Sequence, residues 1–174
     1  MKVFITGVTG FIGRRLANAI DLKIRVLSRV KLANFETVIC DLQSDKIPDN
    51  ALDNIDTVFH LAGFTHDMLE ASKIKDLYYH LNVDVTVQLA NLAVNSGVKR
   101  FIFVSSVKAG GNSPLAICAN EEDQNDTLDI YGKTKREAEL KLLEIGQASG
   151  MHVSIIRPSL VYGPDVKGNL QSML

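Results

Sequence analysis

A doubly wound α/β fold, a parallel sheet with helices on both faces, is what this 174-residue sequence predicts. Three features point to it. Short β-branched runs alternate with longer segments of helical period, the first run ends in a glycine-rich turn, and no internal repeat or low-complexity linker breaks the alternation. Composition agrees. With 46% hydrophobic and 22% charged residues the chain can bury a core, and its length fits one domain at roughly 100–200 residues per domain.

"KVFITG", from Lys2, is a buried strand stopped by Gly7. "FIGRRLANAI" follows as a helix, with Ile12, Leu16, Ala19 and Ile20 at helical spacing. "KIRVLSR" and "ETVICDL" read as the second and third strands, "IDTVFHLAG" as the fourth and "VKRFIFVSS" as the fifth. "MHVSIIRP", stopped by Pro158, is the sixth. Between the fourth and fifth lies "DLYYHLNVDVTVQLANLAVNSG". Alternating Val83, Val85 and Val87 suggest a strand, but the segment is too long for one. Leu81, Val85, Leu89, Leu92 and Ala93 keep a helical face up to Gly97, so a long buried helix is predicted. "DIYGKTKREAEL", residues 129–140, opens a further helix. The irregular polar stretch, residues 109–128, is long for a connection inside a compact domain, and such connections are more often functional than idle.

Charge and composition narrow the function. Nineteen basic and twenty acidic residues give a net charge of −1, without the basic excess or stripe of a nucleic-acid binder. Arg14-Arg15 and Lys133 to Arg136 are short blocks of helix surface. Cys40 and Cys118 match no metal or redox spacing, and His60, His66, His80 and His152 form no ligand pattern. "MKVFITGVTG" lacks the apolar run of a leader, and no stretch is long enough to span a bilayer, so a reducing cytoplasm is expected.

Gly7, Gly10 and Gly13 recur every three residues where the first strand turns into the first helix. Gly7 permits the tight turn, Gly10 lets backbone approach a pyrophosphate, and Gly13, with Ala17 one turn on, lets helix press against sheet. The helix start at Phe11 and Ile12 offers unpaired N–H groups and partial positive charge to phosphates. Asp41 and Leu42 follow the third strand, where a carboxylate could accept the amino group of adenine or serve as an ordinary turn residue. "HLAG", residues 60–63, ends the fourth strand with small residues that let backbone pass close to a cofactor. Ser105 and Ser106 end the fifth strand, at the sheet edge where open α/β sheets bind ligands, although two serines can also simply cap a loop. Tyr131 and Lys135 are four apart, on one helical face. A free tyrosine titrates at ~10, and a nearby cation stabilises the phenolate. An incidental pair on a surface helix would have the same spacing.

With "TGVTGFIG", "DL" after the third strand, "VFHLAG", "FIFVSS", "YGKTK" and "RPSLVYGP" in order along nearly the whole chain, the sequence resembles the extended short-chain dehydrogenase/reductase family. These are the NAD(P)-dependent nucleotide-sugar epimerases, dehydratases and ketoreductases, and the likeness is to the UDP-glucose 4-epimerase-like members. The resemblance implies that residues 1–174 form one NAD(P)-binding Rossmann domain. It implies that Gly7, Gly10, Phe11, Ile12 and Gly13 hold the pyrophosphate, that Asp41 and Leu42 contact adenine, and that Leu61, Ala62 and Gly63 line the cofactor. Ser106 matches the catalytic Ser/Thr, Tyr131 the acid/base, and Lys135 the residue that bonds the nicotinamide ribose. Asn82 matches a helix asparagine beside the site, and Pro158 and Ser159 fall beside the nicotinamide. "SSVKAGG" departs from the family's frequent ending, which has Tyr-Gly at the places of Gly110 and Gly111.

By this likeness Lys135, aided by the positive nicotinamide ring, holds Tyr131 near the pKa a base needs. Tyr131 takes the proton of a sugar hydroxyl as hydride leaves that carbon, and Ser106 steadies the same oxygen. An epimerase returns the hydride to the other face, whereas a 4-ketoreductase runs the second half only. A UDP- or dTDP-hexose is the implied substrate, and a homodimer the implied assembly, through the long helix and the Tyr131 helix. Family members continue past "RPSLVYGP" into a smaller portion that binds the nucleotide sugar, so the chain reads as the cofactor half of such an enzyme, without that portion. NAD-selective relatives carry an acid at the end of the second strand, where this chain has Ser28 and Arg29. Arg14 and Arg15 sit in the first helical turn, the wrong end of the dipole for a cation unless a phosphate is near. NADP is therefore expected to bind at least as well as NAD. The reading from another class is a dinucleotide-binding sensor or scaffold of the same fold that performs no chemistry.

Overall fold

The computed structural model describes residues 1–65, 71–111, 120–122, 125–127 and 129–164. His66, Cys118 and much of the irregular 109–128 stretch lie outside the described residues. The six expected strands are present as β1 (Lys2–Thr6), β2 (Lys23–Ser28), β3 (Glu36–Ile39), β4 (Thr57–His60), β5 (Arg100–Val104) and β6 (His152–Ile156). All pair in parallel, in the spatial order β3-β2-β1-β4-β5-β6. The order reverses between β1 and β4, and the crevice beyond their carboxyl ends is where sheets of this kind take ligands. Thr6 pairs with Leu27 on one side and His60 on the other, so Gly7 emerges beside Leu61.

Alternation along β1 sends residues to two cores. Val3 and Ile5 pack with Val8, Ala17 and Val26 beneath α1 (Phe11–Ala19). Phe4 joins Val58, Phe101, Phe103, Leu89 and Leu142 on the opposite face, under α3 (Val85–Asn95) and α4 (Ile130–Ser149). Each such fully buried side chain contributes about 1.5–3 kcal/mol relative to exposure. Arg157, just beyond β6, forks onto the buried Glu139 carboxylate of α4, with Nε 3.0 Å from Oε1, and so ties the sixth strand to that helix.

The long buried helix expected from Leu81 to Ala93 is interrupted. α2 (Ala71–Tyr79) passes into one π-helical turn, His80–Asp84, before α3 resumes. The wider turn rotates the buried face, so Asn82 and Val83 point inward together with Val85 and Leu89. A 3.6-residue period cannot register that extra rotation, and single π turns are often found at functional sites. Gly97 lies just past the helix end with φ 71°, the left-handed stop that the sequence predicts.

Candidate functional site

The glycine turn is built by close backbone approach. Gly7 has φ 70°, and a Cβ there would lie 2.7 Å from the Ala62 nitrogen and 2.8 Å from the Leu61 carbonyl carbon. A Cβ on Gly13 would overlap the Gly7 carbonyl, so α1 can seat against the turn only without one. Gly10 caps α1 with no side-chain hydrogen bond, and the first turn carries no acid. The amides at the start of α1 therefore keep their positive field for an anion. Ser105 Oγ is buried without a hydrogen-bond partner among the described residues, one position before Ser106. A glycine cradle, a helix start without a side-chain cap and an orphan hydroxyl at the sheet's carboxyl edge fit a dinucleotide.

At the carboxyl end of β2, Ser28 is buried and its Oγ accepts from Val30 N at 3.4 Å, while Arg29 is exposed. Cys40 N donates to Ser28 O, which holds the ends of β2 and β3 together. Asp41 shapes a turn, its Oδ1 accepting from Gln43 N at 3.1 Å, and Leu42 packs against the larger core. Between α1 and residues 32–35 lies a cavity of about 330 Å³, lined by Thr9, Arg14, Asn18, Leu32 and Asn34 among others. The two arginines expected to act alike do not. Arg15 stacks on the Phe11 ring at 3.9 Å and donates to the carbonyls of Phe11 and Pro164. Arg14 lines the cavity.

At the other end of the crevice, β5 runs through Ser105 and Ser106 into a 3₁₀ turn, Val107–Gly110. Ser106 Oγ accepts from Lys108 N at 3.3 Å, which leaves its hydroxyl proton available to a neighbouring acceptor. Val107 N donates to Pro158 O at 3.1 Å, which brings Pro158 beside the turn, with Ser159 exposed after it. Asp129 caps α4 by accepting from Gly132 N at 2.7 Å. Gly132 is a residue that the sequence reading passed over, and a Cβ on it would meet the Lys108 carbonyl. Glycine inside a helix costs ~1 kcal/mol against alanine, which was the available signal. Gly132→Ala, a change that ordinarily stabilises a helix, should here destabilise by about 1–3 kcal/mol, measured by urea unfolding, because α4 must shift off the turn that carries Ser106.

Lys135 is 3% exposed. Its Nζ donates to Val104 O at 2.8 Å and lies 4.2 Å from the Phe103 ring centre. A Cβ on Gly63 would lie 3.0 Å from Asn82 Oδ1 and 3.5 Å from Lys135 Nζ, so Gly63 packs directly against both buried groups. Asn82 Oδ1 accepts from Phe64 N at 2.7 Å, and its Nδ2 donates to Phe64 O and to Thr134 Oγ1 at 3.1 Å. Burial pushes Lys135 down to about 8 from 10.5, opposed by Glu139. Between those two values the unfolded chain binds more protons than the folded one, so stability rises with pH from about 8. Below 8 both forms are charged and the whole cost of burying the ammonium is present. The stability of the wild type relative to Lys135→Met should therefore climb between pH 8 and 10 in thermal melts.

The groups that act on Tyr131 are not the one its helical spacing suggests. Burial raises its pKa, a hydrogen bond from Ser106 and the Lys108 charge pull it down, and Asp129 adds to the rise. The sequence expectation had Lys135 sharing the space of the phenol. Instead that ammonium is bonded to Val104 O, and the cation that acts on the phenol is Lys108, which the sequence reading passed over. Lys108 lies in an irregular turn with no periodicity to mark it.

Behind these groups runs a buried hydrogen-bond chain. The amides of Leu61 and Ala62 donate to Thr6 Oγ1 at 3.2 and 3.1 Å, and Thr6 Oγ1 is 2.7 Å from His60 Nδ1. His60 Nε2 is 2.9 Å from Thr86 Oγ1, whose hydroxyl donates to Asn82 O at 2.8 Å. With that hydroxyl proton committed, His60 carries its proton on Nε2 and accepts on Nδ1 from Thr6. Burial, followed by the Lys135 charge, lowers the His60 pKa to about 3, so the ring is neutral. Among the described residues no group of three or more His, Cys, Asp or Glu side chains is placed to hold a metal, and no helix is long and apolar enough to cross a membrane.

Known proteins resemble this chain along nearly its whole length. Residues 3–174 match the NAD dependent epimerase/dehydratase family. A UDP-glucose 4-epimerase of Vibrio cholerae is 37% identical over 99% of this chain and 56% of its own length. An N-acetyl-alpha-D-glucosaminyl-diphospho-ditrans,octacis-undecaprenol 4-epimerase of Escherichia coli O157:H7 is 31% identical over 99% of this chain and 53% of its own. The chain thus spans about half the length of these curated relatives. Among solved structures, MoeE5 in complex with UDP-glucose and NAD superposes with a TM-score of 0.76 at 28% identity, covering 89% of this chain and 52% of that one.

Proposed function

The chain belongs to the NAD dependent epimerase/dehydratase family, and from that premise we propose that it is the dinucleotide-holding part of a nucleotide-sugar epimerase or 4-ketoreductase working through Ser106, Tyr131 and Lys135. The supporting observation is a convergence. Gly63 lies against the buried Lys135 ammonium and Asn82, and Ser106, which acts on the Tyr131 phenol, follows the orphan Ser105 hydroxyl at the same sheet edge as the glycine cradle. A nicotinamide held there supplies the acceptor and donor of hydride. Tyr131 exchanges a proton with the sugar hydroxyl at the carbon being oxidised or reduced. Ser106, whose lone pair is engaged by Lys108 N, turns its one hydroxyl proton from Tyr131 to the same oxygen once a sugar is bound. Lys135 binds the nicotinamide ribose, and Asn82 pins Phe64 and Thr134 so that β4 and α4 keep their spacing. The substrate class is a UDP- or dTDP-hexose in the cytoplasm. The test is a screen of such sugars with both cofactors on the full-length protein. Cofactor binding without any turnover would favour the sensor reading.

NADP is proposed to bind at least as well as NAD. The end of β2 carries Ser28 and Arg29 rather than an acid, and Arg14 lines the neighbouring cavity. Calorimetric titration should show this, and clearly tighter NAD(H) binding would refute it. Residues 1–174 by themselves should bind dinucleotide but turn over no sugar, and steady epimerisation of a UDP-hexose by this chain would refute that expectation. Leu140 and Leu143 are exposed on α4, one of the two helices proposed to pair copies of the chain. Light scattering should therefore report a dimer, and a monomeric mass would remove that assignment.

A further inference from the structure

The charged and titratable groups around the Tyr131 phenol come from three elements. Lys108 belongs to the 3₁₀ turn after β5, Asp129 and Lys135 to the start of α4, and Tyr78 to α2, its ring centre 6.3 Å from that of Tyr131. Lys135 is committed to the Val104 carbonyl and the face of Phe103. Lys108 faces the other way. Its Nζ lies 5.9 Å from the centre of the Tyr131 ring and 2.7 Å from Asp129 Oδ2.

Both ends of this ion pair are anchored. Lys108 N donates to Ser106 Oγ, and the Lys108 carbonyl lies where only a glycine at 132 can pass. Asp129 is held by Gly132 N as the helix cap. Burial alone would raise the Asp129 carboxyl, but Lys108 and the Gly132 amide hold it below the usual range, so the pair is ionic at neutral pH. A half-exposed lysine would ordinarily sweep through solvent, and this one is tethered next to the phenol.

Resting on the reading of Tyr131 as the acid/base, we propose that the Lys108–Asp129 pair is a positioning device that sets the proton affinity of Tyr131, the lysine favouring phenolate and the aspartate restraining it. The separation is shorter than the Debye length of ~8 Å at physiological salt, so dissolved ions screen the lysine's action on the ring only in part. The turn that delivers Ser106 thereby delivers a cation as well, and the residue that starts the Tyr131 helix supplies its counter-charge. Lys135 is left to the ribose.

The test is a ¹³C NMR titration of the tyrosine ring carbons in the 174-residue chain, with the Tyr131 signal assigned among the four tyrosines by Tyr131→Phe. Lys108→Met should shift the Tyr131 titration to higher pH. Asp129→Asn, which keeps a capping side chain, should shift it to lower pH. Lys108→Arg should leave it near the wild-type position. Opposite shifts from the two ends of one ion pair are not produced by a loosened structure. An unchanged midpoint in Lys108→Met, or shifts of the same sign in both variants, would overturn the proposal. If Lys108→Met fails to fold, a downward shift in Asp129→Asn supports the proposal and an unchanged midpoint overturns it. The measurement needs no turnover, so it stands apart from whether Tyr131 proves to be the acid/base.

Discussion

Tyr131→Phe should reduce turnover of the full-length protein by about 10²–10⁴-fold, the usual worth of a positioned proton-transfer group. Fold and cofactor affinity should be nearly unchanged. The ring, packed 6.3 Å from Tyr78, remains, and only the hydroxyl is lost. Ser106 keeps its bond from Lys108 N, so the turn that presents it is not released. Lys135→Met should differ in kind. Removing the ammonium beneath Gly63 should weaken cofactor binding as well as turnover, because that group is proposed to hold the ribose. Parallel cofactor titrations and steady-state rates for the two variants separate these roles. Near-normal turnover in Tyr131→Phe would withdraw the acid/base assignment and restore the sensor reading.

Acid should unfold this protein through His60. The ring is fully buried, stacked on Phe103 with centroids 5.7 Å apart, and both nitrogens are engaged, so no room or partner exists for a second proton. Its folded pKa is about 3, against 6.5 for a free histidine. The sign follows from proton counting. Below 6.5 the unfolded chain takes up a proton that the folded chain refuses, so the stabilisation is complete above 6.5 and is lost as pH falls towards 3. At ~1.4 kcal/mol per pKa unit, the loss is on the order of 4–5 kcal/mol, a large share of the ~5–15 kcal/mol typical of a domain. Between pH 6.5 and 5, where carboxylates are still ionised, replacing His60 should remove the part of the fall in stability that its burial causes. Urea unfolding across that window should show a steeper slope in the wild type than in His60→Gln. An equal slope in both would contradict the assignment.

The sheet was legible because each strand is a β-branched run bounded by a glycine, a proline or a polar turn. The glycine cradle was legible because only close backbone approach explains three glycines at one strand–helix junction. Other features depend on contacts between segments far apart in sequence. Arg14 and Arg15 are neighbours of equal charge, yet one faces a cavity and the other meets Pro164, 149 positions away. The π turn that aims Asn82 inward leaves no periodic trace. Tyr131 and Lys135 share a helical face as their spacing requires, but the Val104 carbonyl captures the lysine, and Lys108 reaches the phenol from a turn with no pattern of its own. His60 looked like an ordinary strand residue until Thr6 and Thr86 were found on its two nitrogens.

The central claim is that a nicotinamide dinucleotide lies across the β1–α1 turn and reaches the Tyr131 helix. It is tested most directly by titrating the ¹⁵N-labelled 174-residue chain with NAD(H) and NADP(H) and following its backbone amides. Saturable shifts are expected at Gly10, Phe11, Ile12 and Gly13 for the pyrophosphate, at Ala62 and Gly63 along the cofactor, and at Ser106 for the nicotinamide end. No saturable shifts with either dinucleotide, or shifts confined to residues away from the carboxyl edge of the sheet, would contradict it.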